Sequence, residues 1–122
     1  MRMYDFSGTP PEALAEGTKY DGGKVRWDLL PFSALEEIAK VYTFGAKKYE
    51  DWNWHKGLKY SRCVAAMLRH LYAWWWHGER YDQESGCHHL ASVGFYVFAL
   101  LEFDLSGTYL QFDDRRVEAE KK

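Results

Sequence analysis

The sequence is short of several things at once. It has two cysteines and three prolines in 122 residues. Cys63 and Cys87 form no CxxC pair, and with His88 and His89 they make no recognisable zinc spacing, so two free thiols in a reducing compartment are expected. The opening residues MRMYDFSGTPPEALAEG lack an apolar stretch, so a cytoplasmic protein is expected rather than a secreted one. Positive charge is not in excess: 16 Lys and Arg against 18 Asp and Glu leave a net charge of -2. That gives no global basic field and argues against a DNA or RNA polymer as partner, while leaving room for a local basic pocket suited to a phosphorylated small molecule. The longest apolar run, LASVGFYVFALL, is broken by Ser92 and Gly94 and bounded by His89 and Glu102. It falls short of the ~20 residues of a membrane span, so no membrane partner is expected. No internal repeat is present.

Aromatic residues are what the chain has in plenty. They make up 18 %, with six tryptophans. So many indoles are hard to bury in a monomer of this length, which points to subunit contacts or to the surroundings of a flat ligand.

The length suits a single domain. Residues 1–23, with Thr9-Pro10-Pro11 and Gly22-Gly23, read as a loosely tied arm. GKVRWDLLP reads as an extended entry. Ser33, with Glu36 three residues on, has the capping-box pattern for a helix over 33–48. EDWNWHKGLKY reads as a loop. A second helix is expected over 60–77, stopped by Gly78, and a third over 85–105 after the connector GERYDQESG. Residues 108–122 read as a charged tail. VGFYVFAL is rich in β-branched and aromatic residues, so a buried strand is the rival there; the length of the segment favours helix. A helix apolar all round must be enclosed. The expectation is an all-α bundle of three main helices, completed by oligomerisation.

At about 100° per residue, Ala34, Leu35, Ile38, Ala39, Val41, Tyr42 and Gly45 share one arc of the first helix. Glu36 and Lys40 fall opposite, as an i,i+4 pair. Glu37 lies at the edge of the apolar arc with Val41, Phe44 and Lys48. In the second helix, Val64, Leu68, Leu71 and Trp75 form an apolar stripe bordered by His70, while Arg62 and Arg69 share a face with Ala66 and Ala73. The short connector makes the second and third helices antiparallel neighbours. With an antiparallel first pair as well, Asp82, Glu84 and His89 would come beside Glu37. Carboxylates meeting at one place repel unless a cation joins them, and hard oxygen ligands suit Mg2+ or Mn2+. The plainer alternatives stay open. Asp82, Glu84 and Ser85 can be helix caps, His70 and His89 can be hydrogen-bonded core residues, and Lys48, Arg62 and Arg69 can be solvated charges.

GGKVRWDLLP, LEEIAKVYTFGAKKYEDWNWHKG and YSRCVAAMLRHLYAWWWHGERYDQESGCHHLA together resemble the phage MazZ-like dATP/dGTP diphosphohydrolases, an offshoot of the all-α MazG/HisE nucleotide pyrophosphohydrolases. The likeness covers roughly residues 20–103. Glu36-Glu37 matches the first acids of an EExxE motif, with Lys40 in the third place, and Glu79-x-x-Asp82 matches ExxD. The resemblance implies an oligomeric helical bundle (dimer or tetramer) with a divalent-metal cluster. It also implies cleavage of a purine nucleoside triphosphate, dGTP foremost and also dATP, to the monophosphate and pyrophosphate in phage nucleotide-pool remodelling. The location would then be the host cytoplasm.

Carried over onto this chain, Glu37, Glu79 and Asp82 would hold two or more Mg2+ or Mn2+ ions. Lys48 and Arg69, with Lys24 or Arg26, would neutralise the leaving pyrophosphate. Trp54 or Trp27 would stack on the purine and Asn53 would read its edge. Glu84 would act as general base or support the metal ligands, His70 would belong to the catalytic group, and His89 would contact substrate. The alternative is a non-catalytic phage helical protein that binds a host protein through its aromatic surface.

Overall fold

The structure, a computed structural model, describes residues 16–117. Its contacts divide into two compact units, one ending at Leu30 and one beginning at Pro31. In the first, a 3-10 turn spans Trp27–Leu29, and the Arg26 guanidinium clasps the Asp28 carboxylate with two hydrogen bonds of 2.8 Å. The expected arm lies largely in residues 1–15, outside the described residues.

The second unit is built from three helices: α1 (Phe32–Lys48), α2 (Tyr60–Trp75) and α3 (His89–Ser106). Two 3-10 turns, Asn53–Lys56 and Leu110–Phe112, precede α2 and follow α3. The all-α expectation holds, and VGFYVFAL is helix throughout. α2 and α3 run antiparallel: Tyr60 stacks on Phe103 at one end, and His70 meets His89 at the other. Their shared core is Tyr60, Cys63, Ala99, Phe103 and Tyr109, with Ala99 and Phe103 wholly buried.

The face of α2 that makes this contact is not the expected stripe. Val64, Leu68, Leu71 and Trp75 are exposed, and Tyr60, Cys63 and Ala66 are buried instead. Small side chains at 63 and 66 let α3 approach closely, which the bulkier stripe could not allow. α2 therefore carries two apolar faces and uses one within the chain. α3 does likewise. It buries His89, Ala91, Ser92, Ala99 and Phe103 but leaves Val97, Phe98, Leu101 and Leu105 exposed. Within one chain it is not enclosed. By length and composition alone, its 18 residues are apolar enough to cross a membrane.

α1 crosses α3 at Gly94. A Cβ added there would lie 2.7 Å from Ile38 Cδ1, so glycine is what admits the α1 side chain. Tyr42 packs on Phe95 beside this crossing, with ring centroids 4.6 Å apart, and burial pushes its hydroxyl pKa up to about 12. Ala34 and Ala39, expected on the apolar arc, are exposed.

Several expected boundaries and contacts differ. α1 starts at Phe32 with Pro31 before it and no side-chain cap, so Ser33 forms no capping box. Lys40 pairs with Glu37 at 2.5 Å, not with Glu36. α2 ends at Trp75, two residues before the expected stop, and Gly78 takes φ +69 in the turn beyond. α3 starts at His89, not near 85. Gly86 adopts φ +73, and Asp82 N–H donates to the Cys87 carbonyl at 2.8 Å, closing the connector on itself before a helix can begin. The expected charged tail contributes structure in its described part. Tyr109 is buried against Phe103, with centroids 4.3 Å apart, and its hydroxyl donates to the His55 carbonyl at 2.6 Å. Asp114 accepts from Ser61 N–H at 2.8 Å and from the Ser61 hydroxyl at 2.5 Å, capping the start of α2 from a distance in sequence.

Gly57 ends the 3-10 turn at φ 107, ψ 141, and a Cβ there would lie 2.2 Å from the Phe112 ring. Gly57→Ala should therefore cost roughly 1–3 kcal/mol of stability from backbone strain alone. A chemical-denaturation midpoint equal to that of wild type would contradict the positive-φ backbone of Gly57 at this turn.

Candidate functional site

The polar residues gather where α2 stops and α3 starts. Trp76–His88 fold back as a tight connector, with Tyr81 and His88 forming an antiparallel bridge and His89 N–H donating to the Arg80 carbonyl at 2.8 Å. This return brings the later turns of α2 and the first turn of α3 side by side. His70 Nδ1 and His89 Nδ1 lie 2.9 Å apart. Tyr96, further into α3 and itself half-buried, stacks on His70 with centroids 6.5 Å apart at 24°. His88 caps α3, its Nδ1 accepting from Leu90 N–H at 3.0 Å.

Asp82 is positioned by a local turn. Its Oδ2 accepts from Ser85 N–H at 2.9 Å and from the Ser85 hydroxyl at 3.0 Å. This is an Asx-type turn, in which a short carboxylate satisfies backbone donors that no helix satisfies. Burial alone would raise the Asp82 pKa. The two Ser85 hydrogen bonds and the nearby imidazoles of His70 and His89 outweigh it and hold the carboxyl below the usual range. His70 goes down as well. Burial lowers its pKa, helped by His89 and Arg69 and opposed by Asp82.

His89 is buried, and its Nε2 has no hydrogen bond; the nearest acid is Glu79, whose Oε2 is 3.5 Å away. Among the described residues, His70, Asp82 and His89 each place one donor atom within 4.8 Å of the others. Lys48, at the end of α1, donates to Glu84 Oε2 at 2.9 Å and so brings a third helix to the connector.

The residues singled out from the sequence therefore separate. His70, Glu79, Asp82 and His89 come together, with Arg69 close enough to act on the His70 proton equilibrium. Lys48 and Glu84 form their own ion pair. Glu37, half-buried on α1, is held by Lys40. Asn53 lies half-buried in the turn before α2. Trp54 packs into the aromatic cluster, 5.6 Å from Tyr42 and 6.1 Å from Phe103 between ring centroids. Lys24, Arg26 and Trp27 belong to the first unit, where Arg26 is engaged by Asp28.

Two residues at this corner escape the sequence pattern. Ser85 is legible in principle from the D-x-x-S spacing, but that spacing reads first as a helix cap. Tyr96 carries no such signal, since only the pairing of α2 with α3 puts it on His70. Away from this corner, Trp52 is exposed and holds left-handed backbone at φ 63, ψ 18, a conformation rare for a bulky side chain.

The unit is a small all-α domain that gathers imidazoles and carboxylates at one helix turn, with lysine and arginine nearby. Similarity to known proteins gives the family. A model described as dATP/dGTP diphosphohydrolase, N-terminal, matches residues 14–115, and the chain belongs to that family. A dATP/dGTP diphosphohydrolase of Salmonella phage PMBT28 is 35% identical over 88 residues, covering 70% of this chain and 30% of the relative. The chain thus spans under a third of that relative's length. No solved structure matches it.

Ser85→Ala should raise the Asp82 pKa in the metal-free protein, because it removes one of the two hydrogen bonds that favour the carboxylate. A carboxyl-carbon NMR titration reads this directly. An Asp82 titration unmoved by the substitution would show that the turn does not govern its charge.

Proposed function

We propose that the chain hydrolyses a purine deoxynucleoside triphosphate, dGTP or dATP, to the monophosphate and pyrophosphate with a divalent metal ion. The observation that carries this is the meeting of Glu79, Asp82, His70 and His89 at the α2–α3 turn, with Lys48 brought in from α1. Family membership and the activity named for the phage relative support a purine deoxynucleoside triphosphate as substrate and pyrophosphohydrolysis as the reaction.

The donors fit a cation. Glu79 and Asp82 offer carboxylate oxygens, the imidazoles offer nitrogens, and a buried nitrogen of His89 lacks a hydrogen bond. Glu79 and Asp82 would hold Mg2+ or Mn2+, with Glu37 completing the set by exchanging its Lys40 pairing. Two or more ions are proposed. Bound there, the metal supplies Lewis acidity at the α-phosphoryl group and offsets the charge of the triphosphate.

The chain's own groups do the remaining work. Lys48 trades Glu84 for a phosphate oxygen, and Arg69 adds a fixed cation, so charge that develops on the leaving pyrophosphate is met by groups already in place. Glu84, freed from Lys48, accepts a proton from the attacking water. Asn53 reads the purine edge. Trp54 is packed against Tyr42 and Phe103, so the exposed indole of nearby Trp52 offers the freer stacking face.

Assembly of several copies is part of the proposal. The unused apolar faces of α2 and α3 exceed what isolated surface residues explain. The second possibility, a non-catalytic protein that docks a partner through its aromatic surface, draws on the same exposed residues, Trp75 and Trp76 among them.

A nucleotide panel with Mg2+, resolving mono- from diphosphate products, separates the two. Purine triphosphates should release intact pyrophosphate, and light scattering on the same sample should give a mass above one chain. No turnover from any triphosphate would sink the enzymatic proposal. Within the Glu36-Glu37 pair, Glu36 is exposed and Glu37 half-buried. Glu37→Gln should lower Mg2+-dependent turnover by orders of magnitude while staying folded by circular dichroism. Glu36→Gln should remain within several-fold of wild type. The reverse result would mean that the wrong face of α1 has been assigned to the site.

A further inference from the structure

We infer that His70, His89 and Asp82 form a transition-metal site in which two imidazole nitrogens are the leading donors, so that this position takes Mn2+, Co2+ or Zn2+ in preference to Mg2+. The inference deepens the proposed hydrolase by naming the metal chemistry of one position in its site. It stands on geometry that exists without any nucleotide.

The two Nδ1 atoms lie 2.9 Å apart. Two imidazole lone pairs cannot face each other at that distance unless a proton or a cation lies between them. With metal–nitrogen bonds of about 2.1 Å, neighbouring ligands at right angles around an ion stand about 3.0 Å apart, and tetrahedral ones about 3.4 Å. The observed spacing is thus already close to that of two adjacent ligands. Asp82 supplies the third donor within 4.8 Å of the others. Both Ser85 hydrogen bonds fall on Asp82 Oδ2, which fixes the carboxylate in its turn.

The rest of the corner suits an imidazole ligand. If His89 binds metal through Nδ1, its proton must sit on Nε2. That atom is buried and unbonded, 3.5 Å from the Glu79 carboxylate. A small movement of the half-exposed Glu79 would complete the carboxylate–histidine–metal arrangement that sets the tautomer and strengthens the ligand. Tyr96 stacks on His70 and limits its ring to few orientations. Imidazole nitrogen favours transition ions, whereas Mg2+ prefers oxygen and gives up its waters reluctantly. The corner therefore selects by ligand chemistry.

The test uses the metal-free full chain and Co2+ as the probe. Ligand-field absorption should develop and saturate, and excess Mg2+ should not reverse it. His70→Gln should abolish the bands or weaken affinity by more than the roughly 10–100-fold expected when an outer carboxylate is removed. Glu79→Gln should fall within that smaller range. His70 is only half-buried, so its variant keeps the test sound even if His89→Gln unfolds; circular dichroism checks both. Co2+ binding unchanged in His70→Gln, or bands erased by Mg2+, would overturn the assignment and leave the pair as a proton-sharing contact. The site and the reaction fail separately. Co2+ binding without pyrophosphate release removes only the reaction, and Mg2+-supported turnover without a Co2+ site removes only this assignment.

Discussion

The contact that the site depends on is far from it. Tyr60, Cys63, Ala99 and Phe103 pack together at the end of the α2–α3 pair away from His70 and His89, with Tyr60 stacked on Phe103. Their burial sets the register of the two helices. Slide α3 by one residue and its side chains rotate by about 100°, which takes His89 away from His70 and Tyr96 off its ring. The 2.9 Å approach of two imidazoles is therefore a consequence of close packing between small and aromatic side chains about two to four turns away. Interiors of native density tolerate little sliding, so the register is stiff.

The other end is held by the connector. Gly78 and Gly86 take left-handed backbone, the Asp82–Ser85 turn uses the carboxylate as a scaffold as well as a charge, and Tyr81 and His88 bridge its two arms. The run of tryptophans at 74–76 ends α2, and acids follow at once because that helix end opens into a turn that binds its own backbone. The aromatic excess is split. Trp54 joins the core cluster, while Trp75 and Trp76 remain on the outside of the chain with the second apolar face of α2.

The helices are legible in the sequence because their signals are local: length, apolar periodicity, and glycines placed after the last turn. The antiparallel pairing of α2 and α3 follows from connector length. The face of α2 is not legible, since the helix carries two apolar faces, and periodicity favours the bulkier one whereas close approach favours the smaller. The start of α3 is hidden because GCHH looks helix-compatible until Gly86 is seen at positive φ. His70, Glu79, Asp82 and His89 stand out individually in the sequence, mostly through family likeness, but their meeting depends on a helix register that no motif encodes. The sequence pattern centres the site on Glu37, which the structure holds against Lys40. Asp114 reaching back to Ser61 joins positions 53 residues apart in sequence, and no short-range pattern announces it.

The central claim is that the α2–α3 turn holds the metal and presents it to a triphosphate beside Lys48. A crystal of the full chain with Mn2+ and a non-hydrolysable α,β-imido dGTP, with data collected above the manganese edge, tests it most directly. The account predicts an anomalous peak within bonding distance of Asp82 and both imidazoles, with the triphosphate reaching Lys48 Nζ. Manganese and triphosphate bound elsewhere, with His70 and His89 still sharing a proton, would contradict it.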